Sequence, residues 1–264
     1  MPEIFTYDFM IRALVAGVLI ALVVPVLGNF LVARRYSLIA DSLAHVSLAG
    51  IGVGLLAGST PILFAVPVTV IGAILIEWLR QKQKLSGEIS LAILMSGGLS
   101  LAVVFANLAK GSNVDFNSYL FGSITTTTSS DLILLAGASV IVLACILWNY
   151  RAFLHIAFDE DSARLSGYRV SSLNYLLASL TAIMVVLSMR VVGGLLISAL
   201  LVIPVVAASQ VSRSFLSTIF GSICLALVAV LGGLALAFYA GIAAGGAIVL
   251  SAIVLLIAAM ILKR

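Results

Sequence analysis

Charge is what this sequence has least of: 14 Lys and Arg with 10 Asp and Glu make up 9% of 264 residues, against 63% hydrophobic residues. That balance, with a mean hydropathy of +1.29, excludes a soluble globular domain and describes an integral membrane protein. No basic run exceeds a few residues, so the formal charge of +4 is a topology signal and no nucleic-acid partner is expected. The two cysteines, Cys145 and Cys224, sit in apolar stretches without a Cys-x-x-Cys spacing. They read as packing residues, with little support for a disulfide or a thiolate metal site. A Gly-x-x-x-x-Gly-Lys-[Ser/Thr] phosphate loop is missing, so the chain does not itself hydrolyse ATP by that mechanism. Neither a His-Glu-x-x-His helix nor a second intramembrane acid beside Asp41 is expected, which ranks intramembrane enzymes low.

Apolar runs predict about nine membrane helices, near Phe9 to Ala33, Tyr36 to Ala57, Pro61 to Leu79, Ile89 to Ala109, Asp131 to Tyr150, Leu173 to Met189, Val191 to Gln210, Phe215 to Phe238 and Ile242 to Leu262. The pair around Arg190 reads equally as one broken unit, and Ser112 to Ser130 as the place for a short interfacial helix. Glu3 and Asp8 stand where a signal peptide would carry positive charge, so the first segment reads as a retained helix. No strong repeat or linker interrupts the chain, and residues 1–264 read as a single transmembrane domain. Most basic residues, including Arg34, Arg35, Arg80, Lys82, Lys84, Arg151, Arg164, Arg169, Arg213, Lys263 and Arg264, fall on one side. The opposite side holds Arg12, Lys110 and Arg190. The asymmetry predicts a cytoplasmic C-terminus and an external N-terminus in the cell membrane.

Most charges lie at helix ends, but Asp41 and His45 lie inside the second apolar run. If the helix begins just after Arg35, Asp41 is about 9 Å and His45 about 15 Å into a core of about 30 Å. A carboxylate at that depth is costly without a partner or a wet cavity, which makes the pair a functional candidate. Spacing of four puts both side chains on one helical face, with Gly50, Gly54 and Gly58 roughly opposite, a ridge that permits close approach of a neighbouring helix. One reading is that Asp41 and His45 satisfy each other. The other is that carboxylate and imidazole bind a divalent transition metal, zinc above all, with manganese or iron as further candidates. Two ligands do not complete a site, and a symmetric dimer with this face at its axis would supply two Asp and two His. His155, in a cytoplasmic loop, is a weaker ligand candidate.

Between the fifth and sixth helices, Ala157 to Tyr168 reads as one short helix. Asp159 is its N-cap, Glu160 and Asp161 its first turn, Arg164 a later residue and Gly167 its stop. Local chemistry leaves open whether this is a solvated loop or a docking element for a cytoplasmic partner.

Four segments together carry a resemblance: Gly28 to Leu38 running into Ala40-Asp41-Ser42-Leu43-Ala44-His45-Val46-Ser47-Leu48; Ser118-Tyr119-Leu120-Phe121-Gly122-Ser123; the Phe158-Asp159 to Gly167 loop; and Gly193 to Pro204. Over nearly its whole length the chain resembles the membrane permease subunits of ATP-binding-cassette importers for zinc and manganese. The resemblance implies an all-α polytopic membrane protein with a cobalamin-importer-like permease fold, working as a homodimer. It further implies two cytoplasmic ABC ATPase subunits that use ATP and an extracytoplasmic solute-binding protein that delivers the metal. No cofactor would be permanently bound. On this resemblance Asp41 and His45 are the metal pair of the pathway, and Asp159, Glu160, Asp161, Arg164 and Gly167 belong to an ATPase-coupling helix at about 158–168. The segment around Asp41 looks like the zinc members, since manganese members tend to have Gly before the Asp and Pro after the His. Pro204 fits the family and would permit a kink, whereas Glu88 reads as first-turn helix stabilisation. The alternative is a stand-alone secondary metal transporter or channel using Asp41 and His45 as a proton-coupled site.

Overall fold

Long apolar runs in lipid must satisfy their own backbone N–H and C=O groups, which for an unpaired segment leaves the helix. The computed structural model describes residues 7–82, 87–109, 116–123, 127–194 and 196–262. They form α1 (Asp8–Ala33), α2 (Ile39–Leu56), α3 (Pro61–Lys82), α4 (Gly87–Leu108), α5 (Phe116–Phe121), α6 (Ser129–Trp148), α7 (Tyr150–Phe158), α8 (Glu160–Leu165), α9 (Val170–Val192), α10 (Ile197–Val211), α11 (Phe215–Ala240) and α12 (Ala244–Leu262). Among the described residues, α1 to α4, α6, α9, α11 and α12 are long and apolar enough to cross a membrane, and α10 is a shorter apolar helix. Each of the nine apolar runs thus corresponds to a helix. The short helix expected between Ser112 and Ser130 is α5. Lys84, Ser86, Lys110, Ser112, Asp115 and Leu195 lie outside the described residues, as do Glu3, Lys263 and Arg264.

α1 runs through the centre, packed against α6, α9, α10 and α11. Its Phe30 is fully buried, with ring centroids 5.3 to 6.1 Å from those of Phe215, Phe153 and Tyr150. α2 packs chiefly on α3 and α4, and α3 in turn on α9. Chain direction alternates, so the ends near Arg34, Arg80, Arg151, Arg164, Arg169 and Arg213 share one end of the bundle and Asp131 and Arg190 the other.

Three boundaries depart from the sequence reading. α2 begins at Ile39, because the chain turns at residues 34–38 with Arg35 at φ 56°. Val191 and Val192 finish α9, and the chain reverses at Gly193, φ 95°, where a Cβ would lie 2.5 Å from the Phe121 carbonyl carbon. Finally, Tyr150 opens α7, separated from α6 at Asn149, with Ala152, Phe153, Ile156 and Ala157 buried.

Candidate metal site and cytoplasmic docking helix

Starting α2 at Ile39 puts Asp41 in its first turn, where the helix dipole favours a carboxylate. His45 is then about 9 Å along a helix of about 27 Å, short of the depth expected from the sequence. Asp41 is half-buried and His45 is 8% exposed. No hydrogen bond or ion pair joins them, and His45 Nδ1 is buried without a hydrogen-bond partner. The self-satisfied pair is therefore not what the fold contains. A buried polar atom left unpaired costs about 1–3 kcal/mol.

The surroundings of α2 explain how the pair is held. Gly50 and Gly54 receive α3: a Cβ on either would lie 2.7 Å from the Cα of Ala65 or Pro61. The third glycine of the expected ridge, Gly58, instead lies past the end of α2 at φ 61° with nothing near it. On the other flank α4 crosses α2 so closely that a Cβ on Gly98 would lie 2.7 Å from Val46 N and 2.9 Å from the His45 carbonyl carbon. The Ser42 hydroxyl donates to the Leu91 carbonyl at 3.0 Å, and Gly52 abuts Phe105. The Asp41–His45 side of α2 is thus flanked by α4 of its own chain. Among the described residues no third His, Cys, Asp or Glu gathers with the pair.

At the other candidate segment, Asp159 caps α8, its carboxylate accepting from the backbone N–H groups of Asp161 and Ser162 at 2.9 and 3.1 Å. Gly167 stops the helix at φ 87°, a conformation that costs little only without a Cβ. Asp161 and Arg164 are exposed, as are Phe158 (73%) and Leu165 (90%). Ala163 is buried with Ile156 and Val170, which fastens α8 to α7 and α9. His155 is exposed, its ring centroid 5.5 Å from that of Tyr168. Glu160 does not join the outer face. It turns inward and ion-pairs with Arg34 and with Arg80, the latter at 3.2 Å. Burial would raise its carboxyl, but the two guanidiniums outweigh that and hold it below the ordinary value. Tyr36 beside this cluster is pushed up, first by burial and then by Glu77.

Sequence reasoning assigned Arg34 and Arg80 to topology alone and passed over Glu77. Glu77 is 1% exposed, a buried acid in an apolar helix that the sequence reading did not expect. It is fully committed, to Arg80 Nη2 at 2.7 Å and to Gln81 Nε2 at 2.6 Å. The Glu77-x-x-Arg80 spacing at the end of an apolar run was the available signal. At the opposite end of the bundle Arg190 ion-pairs with Asp131, which shares a capping box with Thr128, and lies over the Tyr119 ring at 5.8 Å.

A bundle in which eight of the described helices are long and apolar enough to cross a membrane defines a polytopic membrane protein. The model of the ABC 3 transport family matches residues 6–263, and the chain belongs to that family of metal-transport permeases. It is 34% identical to the probable metal transport system membrane protein of Treponema pallidum, covering 98% of this chain and 97% of that one. To the high-affinity zinc uptake system membrane protein ZnuB of Haemophilus influenzae it is 30% identical, covering 92% and 94%. To the manganese transport system membrane protein MntC of Listeria monocytogenes it is 27% identical, covering 94% and 89%. Among solved structures it is similar to PsaBC from Streptococcus pneumoniae in complex with Fab, with a TM-score of 0.87, 27% identity and coverage of 97% and 92%.

Proposed function

We propose that this chain is the permease subunit of an ATP-driven importer of a divalent transition metal, zinc first and manganese next, and that it works as a homodimer. Asp41 and His45 are the pair through which the metal passes. The observation that carries this reading is the buried, unpartnered Nδ1 of His45 one turn from Asp41, an imidazole and a carboxylate suited to such an ion. Two donors hold a passing ion loosely enough to release it, as transport requires; water and the second copy are the sources of further ligands. With no phosphate loop in the chain, energy comes from a cytoplasmic ATPase subunit. α8 is its docking element, offering Asp161, Arg164 and Leu165 beside Phe158 at the end of α7, all exposed. An extracytoplasmic binding protein delivers metal at the other end, so the N-terminus is external and the C-terminus cytoplasmic. The likeness of the Asp41 segment to zinc members, and of the chain to ZnuB, supports zinc.

The test is uptake by the permease reconstituted with its ATPase subunit. Asp41→Asn and His45→Ala are each expected to abolish zinc uptake while the subunits still assemble, because each removes one of two donors. Parental uptake by either variant contradicts the assignment.

A further inference from the structure

α8 is only six residues long, yet one of its side chains reaches three membrane helices. Glu160 Oε1 accepts from the Arg34 guanidinium at the end of α1, from Arg80 Nη2 in the last turn of α3 at 3.2 Å and from Asn174 Nδ2 in α9 at 3.2 Å. Arg80 is itself forked: its Nε and Nη2 hold both oxygens of Glu77 at 2.7 to 3.2 Å, and Gln81 braces the same carboxylate. The Arg34 side chain is 9% exposed and that of Glu77 2%, while those of Arg80 and Glu160 are 24% and 29% exposed. Two carboxylates and two guanidiniums thus form a balanced, partly enclosed knot.

Its place in the chain gives the knot a use. Arg34 is separated from the start of α2 by four residues, Arg35 to Leu38, held tight by the left-handed Arg35 and the buried Tyr36. Arg80 lies in the last turn of α3, which packs on Gly50 and Gly54 of α2. A displacement of α8 therefore reaches the Asp41–His45 helix from its N-terminal connection and from its flank at once. Charged hydrogen bonds of this kind are stiff and directional, and a partly buried pair is screened less by salt than an exposed one.

We infer that Glu160 is a positioning residue that joins the cytoplasmic helix to both elements holding the metal helix, so that motion at α8 is passed to Asp41 and His45. This rests on the function proposed above. It separates two jobs within one short helix: Asp161, Arg164 and Leu165 face outward toward a partner, while Glu160 faces inward and carries the load.

The experiment compares zinc transported per ATP hydrolysed in proteoliposomes containing the permease and its ATPase subunit. Glu160→Gln keeps the side-chain shape and removes the charge. It should still co-purify with the ATPase, while zinc moved per ATP falls about tenfold. A second variant pairs Arg34→Cys with Glu160→Cys in a chain whose Cys145 and Cys224 are replaced by alanine. It should be uncoupled as made and recoupled when a short bifunctional maleimide bridges the two positions, because a joint needs a link and not a particular charge. A parental transport ratio for Glu160→Gln overturns the inference, and so does failure of the bridge to restore coupling. If Glu160→Gln does not assemble, the cysteine pair decides alone. Zinc uptake by the unsubstituted permease that ignores ATP would instead bring down the importer reading and this inference together.

Discussion

Glu160 and His45 show opposite ways of placing a polar group among apolar helices. Glu160 is paired, and removing its charge leaves Arg34 enclosed with no carboxylate. Glu160→Gln should therefore cost about 2 kcal/mol, as expected for a hydrogen bond to a charged group, read as a lower thermal midpoint in detergent. The pH dependence follows from its depressed carboxyl. The unfolded carboxyl takes up its proton near the ordinary value of 4.5 while the folded one still resists, so the stabilisation is complete above that value and fades as pH falls through the folded one. The gap in midpoint between parent and variant should hold constant from neutral pH down to about 5 and close below that. A gap that closes between pH 7 and 6 would contradict the pairing. His45 is unpaired, and its spacing from Asp41 was plain in the sequence because a carboxylate and an imidazole stand out in an apolar run. The partners of Glu160 were not: Arg34 is 126 residues away, and no local pattern distinguishes an inward carboxylate from the outward Asp161 beside it.

At the level of helices, hydrophobic length found every membrane element and missed their ends. The run through Val191 and Val192 into α10 is apolar without interruption, and the break at Gly193 is set by the backbone of α5 crossing there, a tertiary fact. α7 was missed because its apolar residues follow those of α6 directly, with only Asn149 between. The crossing of α4 over α2 at Gly98 is the contact with the clearest consequence. Gly98→Val puts a branched side chain where a Cβ already lies 2.7 Å from backbone, and overpacking of this kind costs about 1–3 kcal/mol. Zinc affinity, measured by titration calorimetry, should fall as α4 is pushed off the proposed Asp41–His45 site; unchanged affinity would mean that α4 does not shape it. Gly167→Val acts elsewhere. It places a β-branched residue at φ 87°, a strained conformation, and should misplace α8, lowering zinc moved per ATP while zinc affinity stays at the parental value. A parental transport ratio for this variant would make the loop an ordinary solvated connection.

For the whole molecule, the distribution of basic residues and the fold agree on which helix ends share a side: Arg34, Arg80 and Glu160 meet in one cluster, and Asp131 and Arg190 meet at the other end. Single cysteines at two exposed positions check the orientation: Arg164→Cys should be labelled from the cytoplasm and Ser59→Cys from outside. Cytoplasmic labelling of Ser59→Cys would invert the orientation. As proposed, the chain moves metal uphill on energy supplied by another subunit. Zinc accumulation in proteoliposomes, with external zinc held below the internal concentration, measures this directly. Accumulation is expected only when the ATPase subunit and ATP are both present. Accumulation driven by a proton gradient with the permease alone would contradict it and establish the stand-alone transporter instead.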